Sequence, residues 1–277
     1  MISSTANSRV KQVVLWQGKA GERKKDGVFI AEGLKMYEEA PREWIRETFI
    51  SARCLRRVWE EESLRRVILP KLEESGYEEV SDEVLGKMSD TQSPQGILCV
   101  LSRPSCTLEK MLGAGQGHPP LFLMLEDLQD PGNLGTILRT GEGAGVSGVI
   151  MSRDTADIYN PKTVRGTMGS IFRVPHIYVE NLGDTVKMLS ETDIHVYAAH
   201  LEGKAYYDTF DFRAGTAFLI GNEGRGLKKE TADLAEHYLK IPMEGQVESL
   251  NAAVSAALLV YEAHRQRAGH RDFFNLG

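Results

Sequence analysis

Residues Phe218 to Leu227 read FLIGNEGRGL, so an apolar run enters a turn carrying Gly221, Gly224 and Gly226 with Glu223 in its middle. A Gly-rich turn leaving a strand ordinarily cradles a phosphate, because its bare amide N–H groups attract an anion. A carboxylate inside the turn has the wrong sign for that. The turn therefore suits a ligand that is neutral or cationic where it touches the loop. Its glycine spacing matches neither a dinucleotide fingerprint nor a P-loop, and no Lys-Ser/Thr follows. Two other loops share this polar, Gly-rich character. EDLQDPGNLGTILRT places Asp130-Pro131-Gly132 in a turn, predicts Asn133 as a helix N-cap, and carries Arg139 six residues on. IPMEGQVESLN leaves a strand at Ile241-Pro242 and predicts a helix from near Ser249 or Leu250, which puts Ser249 and Asn251 at the helix start. Each polar residue alone reads as a cap; three such loops on one sheet domain read as a shared site.

The elements that must position these loops lie after residue 120. LFLMLED (121–127), SGVIMS, IHVYAAH (194–200), TAFLIG (216–221) and YLKIP read as strands. NLGTILRTGEGA (133–144), NPKTVRGTM, KKETADLAEH and a long segment from Ser249 to Arg267 read as helices. Strand and helix in alternation predict an α/β fold with a mostly parallel sheet covered by helices. In such sheets ligands sit beyond the carboxyl ends of the strands, where the three loops fall. A literal G-x-G-x-x-G at Gly143, Gly145 and Gly148 is a decoy, because a helix runs into it and a strand leaves it, the reverse of the dinucleotide-binding order. The stretch 106–119, with Gly, His and two prolines at its end, reads as a linker between residues 1–105 and 120–277.

The first part of the chain reads as a basic helix capped by Asn7 or Ser8, a basic loop from Lys19 to Lys25, a strand Val28 to Ala31, and a further helix. Net charge is -6, yet residues 1–66 hold 14 Lys/Arg against 10 Asp/Glu while the remainder holds 19 against 29. That asymmetry points to a polyanion-binding module at the N-terminal end. The basic side chains Arg9, Lys11, Arg23, Lys24 and Lys25 are its candidate phosphate contacts. Cys54, Cys99 and Cys106 form no C-x-x-C pair, which fits a reducing cytoplasm and argues against a zinc site. The scattered histidines, His195 and His200 included, lack a third ligand, so no metal is expected. No apolar run approaches the ~20 residues that span a bilayer, and the N-terminus lacks an apolar signal region, so no membrane association is expected.

On DPGNLGTILRTGEGAGV (130–146), LIGNEGRGL (219–227) and IPMEGQVESLNAAVSAALLVYE (241–262), the chain resembles the SpoU/TrmH family of RNA ribose 2′-O-methyltransferases, within the SPOUT class. NPKTVRGTMGSIFRVP resembles family sequence too, and the segment from Asn7 to Gly33 resembles the family's substrate-binding domain. The resemblance implies a trefoil-knotted SPOUT methyltransferase domain at 120–277. It implies an N-terminal RNA-binding α/β domain at 1–105 resembling the ribosomal-protein-like fold, and a homodimer. It also implies S-adenosylmethionine as the ligand of the opening turn, its sulfonium positive and its adenosine neutral. Gly221, Ile241, Met243 and Leu250 would hold the adenosine and ribose, with Ala199 lining the same pocket. Asn133, Arg139, Glu223, Ser249 and Asn251 would form the catalytic set, and Arg165 a further RNA contact.

Methyl transfer to a ribose hydroxyl needs alignment of oxygen, carbon and sulfur and stabilisation of the developing alkoxide. An arginine is permanently charged, so Arg139 is assigned to gripping the nucleotide phosphate and stabilising the alkoxide, with the proton leaving to water or a phosphate oxygen. Glu223 would orient its loop or Arg139, and Asn133 would position Arg139 or the ribose. Gly141 and Gly143 are expected to loosen the helix that carries Arg139. Ribosomal RNA is the expected substrate, with transfer RNA the alternative. A non-catalytic assembly factor on the same fold is a rival reading, which the intact polar set argues against. A nicotinamide-dependent oxidoreductase is another, which the reversed glycine context argues against.

Overall fold

The computed structural model describes residues 1–113 and 117–268. The chain forms two compact units: Met1–Ser105 with Asp157–Phe172, and Cys106–Ala156 with Arg173–Gly277.

In the first unit, the Asn7 side chain accepts the Arg9 N–H at 2.9 Å and starts helix α1 (Ser8–Gly18), which buries Val10, Val13 and Trp16 at helical spacing. The segment expected to be a basic loop is instead helix α2 (Ala20–Asp26). Its Ala, Glu, Arg and Lys are good helix formers, and Gly21 alone does not break it. Gly27, at φ 63°, ends α2 and turns the chain into strand β1 (Val28–Glu32). Helix α3 (Leu34–Glu39), β2 (Ile45–Ser51), α4 (Ala52–Glu60), α5 (Glu62–Ser75), β3 (Glu78–Val80), α6 (Asp82–Met88) and β4 (Ile97–Ser102) follow. The sheet order is β1-β4-β2-β3, with β4 antiparallel to both neighbours and β2 parallel to β3. Helices α1 and α6 cover it through Val10, Val13, Val84 and Met88, packed on Val28, Ile30, Phe49, Leu98 and Val100.

The second unit begins with helix α7 (Leu108–Gly113), inside the stretch read as a linker; residues 114–116 of that stretch lie outside the described residues. Strand β5 (Leu121–Leu125), helix α8 (Pro131–Ala144) and β6 (Gly148–Ser152) follow. The next helix, α9 (Pro161–Gly166), falls in the segment that folds with the first unit, where the Tyr159 ring packs 4.9 Å from Phe29. The chain then forms β7 (His176–Val179), α10 (Leu182–Ser190), β8 (Ile194–Ala199), β9 (Ala205–Tyr206), β10 (Gly215–Ile220), α11 (Lys229–Ala232), β11 (His237–Lys240) and α12 (Ala252–Ala268). All seven strands are parallel, in the order β7-β6-β5-β10-β8-β11-β9. Strands β5, β6 and β10 are buried along their whole length, as central parallel strands covered on both faces must be.

From β5 the chain builds outward through β6 to β7, then crosses to the other side of β5 to lay down the remaining strands. The reversal between β5 and β10 opens a crevice at their carboxyl ends. Helix α8 runs unbroken through Gly141 and Gly143. A Cβ at Gly141 would sit 2.9 Å from a Val146 methyl, and one at Gly143 would sit 2.9 Å from the Tyr261 hydroxyl of α12. These glycines let the helix pack closely. Gly145, at φ 79°, ends α8 and Gly148 begins β6, the reverse of the order a dinucleotide fingerprint requires.

Candidate functional site

The site grows from the two strand ends at the crevice. Beyond β5, the buried Glu126 accepts the Lys228 N–H at 2.8 Å and the Thr231 hydroxyl at 2.5 Å, tying β5 to the start of α11. Asp127 sits in the left-handed region at φ 53°, which a non-glycine residue adopts only when its surroundings hold it. The Ser152 hydroxyl accepts its N–H and donates to Oδ1, both at 2.8 Å, and Lys228 Nζ lies 2.8 Å from Oδ2. Burial pushes the Asp127 carboxyl up, but Lys228 and Ser152 together outweigh it and hold it below the usual carboxylate range.

Asn222 locks the Gly-rich turn. Its Nδ2 donates to the Asp127 carbonyl at 2.8 Å, and its Oδ1 accepts the Gly224 and Arg225 N–H groups at 3.0 Å each. Its backbone exchanges two hydrogen bonds with Gly226, at 3.1 and 2.9 Å. Gly221 is required by close approach, since a Cβ there would lie 2.2 Å from the backbone of Gly226 and Leu227.

The role of Glu223 follows from its partners. It accepts the Gln129 N–H at 3.0 Å, the Asp130 N–H at 2.9 Å and the Asn133 side-chain amide at 3.0 Å. The carboxylate thus braces the entrance of α8, where amide N–H groups and the helix dipole favour negative charge. Burial raises the Glu223 carboxyl, yet the Gln129, Asp130 and Asn133 donors prevail and lower it. Asn133 passes the network on: its Oδ1 accepts from Asn251 Nδ2 at 2.9 Å. Asn251 Oδ1 in turn accepts the Ala253 N–H at 2.9 Å and starts α12, two residues or so later than predicted. Three residues from three distant loops form one chain, Glu223–Asn133–Asn251. Asn133 is not the N-cap of α8. Asp130 is, accepting the Asn133 N–H at 2.8 Å with Pro131 at the first helical position. The adjacent Asp-Pro was the local signal for it.

A cavity of about 470 Å³ lies against this network, within the size range of small-ligand sites. Ala199, Gly221, Ile241, Met243 and Leu250 all line it, together with Glu223 and Ser249. Leu239 and Ile220 add apolar wall, and His200, Arg225 and Lys240 add polar rim that the sequence reading did not include. Arg139 stands apart. It is exposed on α8 and has no hydrogen-bond or ion-pair partner among the described residues, so neither Glu223 nor Asn133 orients it.

The candidate RNA contacts of the first unit fare unevenly. Arg23 is corrected: it is 2% exposed, pairs with Asp157 at 2.6 Å and donates to the Trp16 carbonyl at 2.6 Å, so it is a buried structural cation. Arg9 is shared between Glu47 at 2.8 Å and Glu78 at 2.9 Å, and Arg165 pairs with Asp90 at 2.7 Å. Lys11, Lys24 and Lys25 are exposed, with Lys25 3.9 Å from Glu22.

Residues 120–261 match the SpoU rRNA Methylase family, and residues 7–99 match the MRM3-like substrate binding domain. The chain belongs to the SpoU family of RNA methylases. It is 32% identical over 262 residues to the 23S rRNA (guanosine(2553)-2′-O)-methyltransferase of Bacillus subtilis, covering 94% of this chain and 97% of that one. It superposes on the SpoU methyltransferase AviRb from Streptomyces viridochromogenes in complex with AdoMet, at TM-score 0.82 and 27% identity, covering 96% of this chain and all (100%) of that one. An AdoMet-bound rRNA methyltransferase from Sinorhizobium meliloti superposes at TM-score 0.81 and 28% identity, covering 95% and 96% of the two chains. No helix among the described residues is long and apolar enough to cross a membrane.

Proposed function

We propose that this protein transfers the methyl group of S-adenosylmethionine to a ribose 2′-hydroxyl of ribosomal RNA. The observation that carries the reading is one cavity, lined by Ala199, Gly221, Ile241, Met243 and Leu250 and by Glu223, which Asn133 and Asn251 hold in a shared hydrogen-bond network. The cavity fits the ligand: apolar walls suit adenine, backbone at the strand ends suits ribose, and a wall that includes Glu223 and lacks a P-loop phosphate cradle suits a sulfonium. When bound, S-adenosylmethionine supplies an activated methyl group; the chain supplies placement. Gly221 lets backbone approach the nucleoside, and Asn222 and Glu223 hold the turn and α8 in fixed register. Ser249, on the cavity wall, completes the polar edge. Arg139, exposed and unpaired among the described residues, is available to a nucleotide phosphate and to the charge that develops on the 2′-oxygen. A guanidinium remains charged, so the hydroxyl proton passes to water or to a phosphate oxygen.

In the same reading, residues 1–105 capture RNA and 120–277 carry a trefoil-knotted catalytic domain that works as a cytoplasmic homodimer. Support comes from the family match and from relatives named as 23S rRNA methyltransferases. The test is transfer of labelled methyl to unmodified ribosomal and transfer RNA, followed by alkaline hydrolysis. A 2′-O-methyl blocks cleavage at its own phosphodiester, so label in an alkali-resistant dinucleotide from ribosomal RNA is the expected result. Label from transfer RNA alone moves the substrate; no label with either RNA rejects the activity.

A further inference from the structure

We infer that the outer face of α4 and the start of α5 form a second RNA-contact surface, which grips an unpaired stretch of the substrate; this rests on RNA being the substrate. Helix α4 buries Cys54 and Val58 and turns Arg53, Arg56, Arg57 and Trp59 outward. Trp59 is 50% exposed, which leaves an indole face open to an unstacked base. Arg56 lies three residues before it on the same helix. From α5, Arg65 Nη1 reaches to 3.5 Å from the Trp59 carbonyl oxygen. Arginines therefore lie on the same helix face and at the same helix end as the exposed indole.

Their charge is only partly cancelled locally. Arg57 is taken by Glu61 at 2.6 Å, and Arg66 lies 3.8 Å from Glu62. Arg53 and Arg56 have no hydrogen-bond or ion-pair partner among the described residues. Glu60 forms no ion pair with Arg53, Arg56 or Arg65 among the described residues. The contrast with Arg9, Arg23 and Arg165, each already engaged by carboxylates, is what singles this face out. Arginine forks bind phosphates, and an exposed aromatic ring takes the face of an unstacked base; together they suit single-stranded RNA in a loop or bulge.

The experiment is filter binding of an unmodified large-subunit ribosomal RNA transcript at several salt concentrations. It compares wild type with Arg53→Gln/Arg56→Gln, Trp59→Ala and Trp59→Phe, with Lys187→Gln on α10 as a charge control. The arginine pair should weaken binding about tenfold or more and lower the slope of log affinity against log salt by about 1.4, as loss of two single-strand phosphate contacts requires. Trp59→Ala should weaken binding about tenfold with the slope unchanged, and Trp59→Phe should recover most of it. S-adenosylhomocysteine affinity and the thermal midpoint should not move. Unchanged RNA affinity and slope in the arginine variant overturn the proposal, as does a loss that S-adenosylhomocysteine binding shares. If wild type binds the transcript but transfers no methyl, the enzymatic reading fails while the slope still judges the surface. If wild type binds no RNA, both fall.

Discussion

Two clusters of charged side chains separate the units by how they use charge. In the second unit, Glu223 spends its carboxylate on protein donors at the mouth of α8, and the loop around it is fixed by Asn222 and Asp127. In the first unit, Arg23 is sealed inside with Asp157, while Arg53 and Arg56 stay in water without partners among the described residues. Residues that shape a ligand site are committed to one another before the ligand arrives. Residues that meet a flexible polyanion are left uncommitted. Preorganisation serves the small cofactor, and long-range charge serves the RNA.

The largest test of that contrast is Gly221→Ala. Its added methyl would meet backbone at 2.2 Å, so the turn must open, and S-adenosylhomocysteine affinity measured by calorimetry should fall by more than ~100-fold. Retained affinity would mean the turn is not the rigid wall described. Next is Arg23→Ala. Removing one partner of a buried pair costs ~3–5 kcal/mol, which urea unfolding should register. Because the residue is buried, the salt dependence of RNA binding by the folded variant should be unaltered.

Glu223→Gln tests the bracing role. The amide can still accept, but it cannot satisfy all three donors, and about 1–3 kcal/mol of unsatisfied hydrogen bonding is expected at α8. Activity should drop roughly ten- to a hundredfold, with a smaller loss in cofactor affinity, since the residue holds the helix more than the ligand. The smallest effect is in acid. Glu223 and Asp127 are both held below their ordinary values in the folded protein. Their contribution is therefore fully present above the unfolded carboxylate range, about pH 4, and is lost as pH falls through the lowered folded values. Urea midpoints between pH 3 and 6 should show a shallower acid loss in a Glu223→Gln/Asp127→Asn variant than in wild type.

Much of the second unit was legible in the sequence because its signals are local. Apolar runs, Gly-rich turns and polar residues at helix starts placed the three loops at the carboxyl ends of a parallel sheet, and Glu223, Asn133 and Asn251 do meet there. What they do on meeting was not legible. The partners of Glu223 lie 90 to 94 residues away in sequence, so local signals suggest a carboxylate orienting its loop or Arg139 and cannot show its grip on α8. The helix KKETADLAEH is cut to Lys229–Ala232 because the Glu236 N–H bonds the Val196 carbonyl at 2.9 Å, drawing the chain into the sheet. Propensity cannot foresee that tertiary pull. The basic residues were legible only as charge. Arg23 and Lys24 are neighbours in sequence, yet one is buried against Asp157, 134 residues on, and the other faces water.

The central claim is that one preformed cavity holds the methyl donor while Arg139, outside the network beside it, acts on the RNA. Arg139→Ala should be measured for S-adenosylhomocysteine binding by calorimetry and for single-turnover methyl transfer to ribosomal RNA. The account requires affinity within about threefold of wild type and transfer slowed by at least ~100-fold. Near-normal transfer, or loss of S-adenosylhomocysteine binding along with transfer, would contradict it.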